Sequence, residues 1–160
     1  MKRTFIAIKI KAETTLLKVI YDYKLVLKDS QIRWVDENNL HLTLKFLGNT
    51  NENLIKPICE KLENIAGNQK SFSLDLCETG LFKNLKNPRA LWIGINESPE
   101  LDKLKFDIEL AMEKLGFEMD IKNFNPHLTI GRVKHLENKH FLKNLIEKYK
   151  AKSFQQIYPA

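Results

Sequence analysis

In this chain the apolar residues switch between a period of two and a period of three to four, segment by segment. That alternation of strand and helix patterns, with many links of hairpin length, predicts an α+β fold rather than a doubly wound parallel sheet. One tetrad also occurs twice: His41-Leu42-Thr43-Leu44 returns 86 residues later as His127-Leu128-Thr129-Ile130. The echo predicts two similar halves facing each other. The predicted order of elements is βαββα followed by ββαββαβ.

Each element has its own warrant. Residues 3–10 carry Phe5, Ile6, Ile8 and Ile10 and read as a strand; Leu16, Leu17, Ile20, Tyr23 and Leu27 give residues 13–27 helical spacing. Ile32 to Val35 is a short strand, Asn38-Asn39 a turn, and His41 to Leu47 a strand that Gly48 and Asn49 should end. Leu54, Ile58, Leu62 and Ile65 mark a second helix. Pro57 conflicts with a start at Asn51, so that helix is expected to begin late or to kink. Phe72 to Phe82 and Arg89 to Ile95 read as an antiparallel pair around a loop through Asn84, Asn87 and Pro88. The third helix has a cap in Ser98, a first-turn Pro99, a stripe of Leu101, Leu104, Ile108, Met112 and Leu115, and a stop at Gly116. A short strand is expected at 117–121, and Asn125-Pro126 turns the chain into a strand from His127 to Val133. A helix at about 137–149 and a strand from Phe154 to Ile157 complete the order.

A chain of 160 residues suits one domain and can bury a core without staples. Its two cysteines, Cys59 and Cys77, form no CxxC pattern, which fits a reducing cytosol and no zinc cluster. The charged start Met1-Lys2-Arg3 is followed by an apolar run that Lys9 and Lys11 interrupt, so no export signal is read, and nothing approaches a membrane span. The 26 basic against 20 acidic residues, a charge of +6, favour an anionic partner such as a phosphate ester or RNA, although basic small proteins are common.

On a strand, His41 and Thr43 share one face and Leu42 and Leu44 the other; His127, Thr129, Leu128 and Ile130 repeat this. Two positions along a strand span ~6.6 Å, so an imidazole and a hydroxyl can reach different atoms of one phosphate. If the halves face each other, two histidines and two hydroxyls converge on one cleft. A neutral imidazole can take a proton from water while a protonated one gives a proton to a leaving oxygen. The hydroxyls donate to the non-bridging oxygens where charge builds. The scheme needs neither metal nor cofactor. Two such pairs among four histidines arise by chance on the order of 1% of the time.

These blocks resemble the 2H phosphoesterase superfamily, specifically the RNA 2′,3′-cyclic phosphodiesterases once named 2′-5′ RNA ligases. Arg3-x-Phe5-Ile6-Ala7-Ile8 is similar to their opening strand, and Trp34-Val35 with Asn39 to Gly48 to the first catalytic block. Phe82 and Pro88 to Gly94 are similar to the middle hairpin, and Phe124-x-Pro126 to Arg132 to the second block. The resemblance implies a bilobal single domain over residues 1–160, with pseudo-two-fold symmetry, two antiparallel sheets facing a central cleft and helices outside. It implies opening of RNA 2′,3′-cyclic phosphates to 2′-phosphates, and ATP-independent 2′-5′ joining of tRNA halves in some members. His41 would be the proton donor to the 3′ oxygen, His127 the acceptor activating water, Thr43 and Thr129 the phosphate holders, and Arg132 a contact to phosphate or ribose. Relatives continue past this C-terminus with an S-x-L-x-x-x-G-x-x-Y pattern. A chain stopping at Tyr158-Pro159-Ala160 is expected to leave the second lobe and one groove wall incomplete, whether naturally short or truncated.

Weaker candidates have a plainer reading beside each functional one. Lys45 shares the His41 face and is a phosphate contact or a solvated strand end, while Phe46 should join the core. Arg89 is an RNA-backbone contact or a surface arginine, and Trp34 and Trp92 are base-stacking or core residues, Trp92 core by preference. His135, His140 and the lysines of the last helix read as surface. The leading expectation is a metal-independent cytoplasmic enzyme acting on RNA ends, tRNA fragments among them. No membrane and no obligatory protein partner are implied. The alternatives are a non-catalytic RNA-end-binding module, or a phosphodiesterase for small cyclic nucleotides or 2′-5′ oligonucleotides.

Overall fold

The computed structural model describes residues 1–157. Its elements are β1 (Lys2–Lys9), α1 (Thr14–Val26), β2 (Gln31–Trp34), a 3-10 turn (Glu37–Asn39), β3 (His41–Thr50) and α2 (Glu52–Asn68). The second half holds β4 (Leu74–Asn84), β5 (Asn87–Ile95), α3 (Pro99–Glu113), β6 (His127–His135), α4 (Lys139–Lys148) and β7 (Ser153–Ile157). The α+β class holds, and the pairing is antiparallel in the order β1-β3-β6-β5-β4-β7, with β2 added on β6. The two expected sheets are bonded to each other where Leu42 meets Leu128, so they form one continuous sheet. Beyond that contact β3 pairs with β1, and β6 with β2 and β5.

The sheet's apolar face carries Leu42, Leu44, Leu128 and Ile130, all within the core. Helices cover it in two pairs, α1 beside α4 and α2 beside α3. Each pair draws one helix from each half of the chain. Helix α1 reaches over to β7, α3 packs on β3, and β2 pairs with β6, so the halves interleave rather than simply face each other.

Capping follows the sequence closely. Ser98 Oγ accepts from the Leu101 N–H at 3.2 Å, and α3 ends before Gly116, whose φ of +91° a side chain would resist. Asn138 Oδ1 accepts from the His140 N–H at 2.9 Å and opens α4. Helix α2 does not begin late: it starts at Glu52 with Pro57 inside, which corrects that branch of the expectation. Asn51 Oδ1 accepts from the Asn53 N–H at 3.0 Å, and Ile58 of the stripe is buried. The cap and the packing together outweigh one missing donor. The middle loop is tighter than expected, because Asn84 Oδ1 accepts from the N–H groups of both Lys86 and Asn87 at 3.0 Å.

Two further expectations are corrected. Strand β3 does not end at Gly48 but runs to Thr50. Gly48, at φ +72°, pairs with Thr4 beside a break in register, so it bends the strand instead of stopping it. The strand expected at 117–121 is irregular chain. In the order of elements it corresponds to β2, which closes on β6 because Gly131 leaves room. A Cβ there would meet Ile32 Cγ2 at 2.9 Å and Trp34 Cε3 at 3.0 Å. The β3 residue matching Gly131 is Lys45, whose Nζ donates to the Glu118 carbonyl at 2.8 Å. A lysine side chain thus stands where a strand partner would lie. Tyr158 to Ala160, on which the expectation about the C-terminal segment turns, fall outside the described residues.

Candidate active site

The polar face of the sheet lines a cleft of about 920 Å³ that contains His41, Thr43, His127 and Thr129. The four residues of the repeated tetrad pattern therefore come together. Their strands carry the same burial sequence over six positions, His41 to Phe46 and His127 to Arg132. Each strand also slips register after its tetrad. Leu44 has no partner between the pairs Ile6–Lys45 and Ala7–Thr43, and Ile130 has none between Leu91–Gly131 and Trp92–Thr129. The bulge reverses the alternation. Position five turns to the core, and position six turns out to the cleft.

This reversal corrects two expectations. Lys45 is 5% exposed, and its ammonium donates to Glu109 Oε2 at 2.5 Å as well as to Glu118. It borders the cleft, with its charge paired to a buried carboxylate rather than solvated. Phe46, expected in the core, is 73% exposed and lines the cleft, its ring 6.2 Å from that of Phe5. Phe5 in turn lies 5.1 Å from the His41 ring. On the other side Phe82 meets the His127 ring edge-on at 4.8 Å. Phe82 has the small Ala90 as its cross-strand partner.

The imidazoles are oriented identically. His41 Nδ1 lies 2.7 Å from the Asn39 carbonyl, and His127 Nδ1 lies 2.7 Å from the Asn125 carbonyl. A carbonyl oxygen only accepts, so Nδ1 carries the hydrogen in both rings and Nε2 is left for the cleft. The local chain explains each carbonyl. Asp36 caps the 3-10 turn by accepting from the Asn38 N–H at 2.8 Å, and Pro126 disfavours a helical conformation at Asn125.

Beneath β3 lies a buried charged triad. Glu109 accepts from Lys45, from Lys105 and from the Asp120 N–H at 3.0 Å. Burial alone would raise the Glu109 carboxyl, but the two ammoniums and that N–H outweigh it and hold it below the usual carboxylate range. Lys105 also lies 5.6 Å from the Phe124 ring centre.

Among the remaining candidates, Arg132 is exposed and lines the cleft. Arg89 does not line it; by alternation it lies with Leu91 and Ile93 on the opposite face of β5. Trp34 lines the cleft while Trp92 packs across Gly80. His135 is exposed beside Glu137, and no cluster of three metal-ligating side chains exists among the described residues. Arg33, Phe5 and Phe46 line the cleft without having been singled out as site residues. The signal for Phe46 and Arg132 together was their shared offset of five from the two histidines.

The family described as LigT-like phosphoesterase matches residues 8–92 and 93–158, one tetrad in each segment. A Thermotoga maritima protein named RNA 2′,3′-cyclic phosphodiesterase is 37% identical over 86% of this chain and 73% of its own length. A Methanocaldococcus jannaschii protein of the same name is 35% identical over 97% of this chain and 85% of its own. Among solved structures, a Thermus thermophilus protein superposes with a TM-score of 0.71 at 21% identity, covering 98% of this chain and 80% of that one. Escherichia coli LigT complexed with 3′-AMP gives 0.66 at 24% identity over 99% and 83%.

Proposed function

The chain belongs to the LigT-like phosphoesterase family and is an enzyme of the RNA 2′,3′-cyclic phosphodiesterase class, and on that premise we propose how its cleft works. A terminal cyclic phosphate sits between the two imidazoles. His127 Nε2 takes a proton from water as the water oxygen bonds to phosphorus. The bond from phosphorus to the 3′ oxygen breaks, and protonated His41 supplies the proton that leaves a 3′-hydroxyl beside a 2′-phosphate. Thr43 and Thr129 donate to the non-bridging oxygens, and Arg132 offers a further cation. Both proton transfers are supplied by side chains, so the scheme contains no metal step. A 5′-hydroxyl in place of water gives a 2′-5′ linkage by the same two transfers without ATP, which extends the proposal to tRNA halves.

One observation supports this most. Two histidines in one cleft each carry the Nδ1 hydrogen on a backbone carbonyl, leaving two equivalent Nε2 atoms. A site that only bound RNA ends would call for cations rather than a matched acid and base. The test is incubation with RNA bearing a terminal cyclic phosphate in EDTA. The expected product is a 2′-phosphate, lost in His41→Ala and His127→Ala. No product from the unmodified protein, or full activity in either variant, rejects the scheme. Competition among cyclic mononucleotides, 2′-5′ oligonucleotides and tRNA halves then ranks the substrates.

A further inference from the structure

The two histidines are oriented alike but by different means. Asn39, whose carbonyl holds His41 Nδ1, is fixed by the chain around it. Its N–H donates to the Asp36 carbonyl at 2.8 Å, and the next carbonyl, that of Leu40, accepts from the Ile10 N–H at 2.9 Å. Asn125, whose carbonyl holds His127 Nδ1, lies in a segment without such support. Among the described residues, 118–126 form no backbone–backbone hydrogen bond. What the segment has instead is the buried triad. Lys45 donates to the Glu118 carbonyl at 2.8 Å, and Glu109 accepts from the Asp120 N–H at 3.0 Å. The Lys105 ammonium lies 5.6 Å from the ring centre of Phe124, the residue before Asn125, and that ring also packs on the core.

These contacts are spread along the segment, and each is made by a buried side chain: Lys45 and Glu109 are 4% exposed and Lys105 is 10%. Buried ions that share one carboxylate have few alternative positions, since leaving the partner would strand a charge. A segment tied to them at three points is held with them. Resting on the reading of His127 as the base, we infer that the Lys45–Glu109–Lys105 triad holds the Asn125 carbonyl in place and so fixes the hydrogen of His127 on Nδ1. Which ring nitrogen carries the hydrogen is set by the bond that the other makes. A loosened carbonyl therefore frees the ring to place it on Nε2, where it can no longer accept a proton from water. Lys45 and Glu109 are then positioning residues, acting through the segment rather than on the substrate. Because Lys45 stands on the strand that carries His41, the base is set from the strand of the acid.

The experiment reads the tautomer of each ring by nitrogen NMR of protein labelled in its histidines, at a pH well above the ordinary imidazole range. Spectra of His41→Gln and His127→Gln assign the two signals. In the unmodified protein both rings should carry the hydrogen on Nδ1. In Lys45→Met, His41 should stay so while His127 becomes a mixture that includes the Nε2–H form. With RNA ending in a cyclic phosphate, kcat of that variant should fall by about 10- to 100-fold and KM should move less. Phe124→Leu keeps every charge of the triad and should shift His127 in the same direction, so it decides the matter if Lys45→Met does not fold. An unchanged His127 in the deciding variant overturns the inference. So do equal changes in both rings, which would mark a general loosening, and a shifted tautomer with kcat intact. If the unmodified protein opens no cyclic phosphate, the phosphodiesterase reading fails by itself, and the tautomers still decide what holds His127.

Discussion

The Nδ1 of His41 is 2.7 Å from the carbonyl oxygen of Asn39, two residues earlier in the chain. The same relation joins His127 to Asn125. Because the two rings are held alike, the distinction between acid and base must come from the substrate's placement rather than from the tautomer. kcat/KM is expected to rise and then fall with pH. His127→Ala should remove the rising limb, since a base must be deprotonated to act. His41→Ala should remove the falling limb, since an acid must be protonated. Each loss is expected at ~10²–10⁴ in rate. A variant that keeps both limbs at reduced amplitude contradicts its assigned role.

Thr43 and Thr129 test the oxyanion contacts. Each hydroxyl shares the cleft with its histidine. Thr→Val keeps shape and removes the donor. Either substitution is expected to lower kcat by about 10²–10³, the cost of one lost donor to developing charge. The readout is kcat with saturating substrate. A change confined to KM would mean that the hydroxyl binds ground state and transition state equally.

The tetrads were legible because period-two alternation holds through Leu44 and Ile130. It fails one residue later, where two residues of β3 and of β6 oppose one on the partner strand. Nothing in Leu44-Lys45-Phe46 announces a bulge, so Lys45 was placed with the histidines and Phe46 with the core. Both errors come from one unpaired residue. The partner of Lys45 was equally invisible, since Glu109 is 64 positions away and reaches it only through the crossover of α3. Where a strand was expected at 117–121, the Lys45 ammonium donates to the Glu118 carbonyl instead. Pro57 misled about the start of α2 for a different reason, because the Asn51 cap and the burial of Ile58 outweigh the missing donor.

Phe46 and Phe5 form an open aromatic face beside His41, where a terminal base can stack. Phe46→Ala is expected to weaken binding of a cyclic-phosphate dinucleotide by roughly 5- to 150-fold, the range for one base on one aromatic ring. Because the ring is mostly exposed, thermal stability should move little. Measuring KM and Tm together separates the two effects. An unchanged KM removes Phe46 from the binding surface, and a large fall in Tm makes it a packing residue instead.

Glu109 joins two ammoniums beneath the catalytic strand, and its loss should be felt in stability before chemistry. Its side chain is 4% exposed, as is that of Lys45, so Glu109→Gln leaves buried cations without a counter-charge. Breaking such an arrangement from one side costs roughly 3–5 kcal/mol. The carboxyl is held below its unfolded range, so its contribution is present above the unfolded pKa and is lost as pH falls through the folded value. The unmodified protein should therefore lose stability as pH drops below about 4.3, the ordinary glutamate value. Glu109→Gln should be less stable near neutrality and show a shallower decline in that acid range. Denaturant titrations between neutral and acid pH give both quantities. Parallel stability profiles for the two proteins would mean that the triad is not what couples this fold to acid.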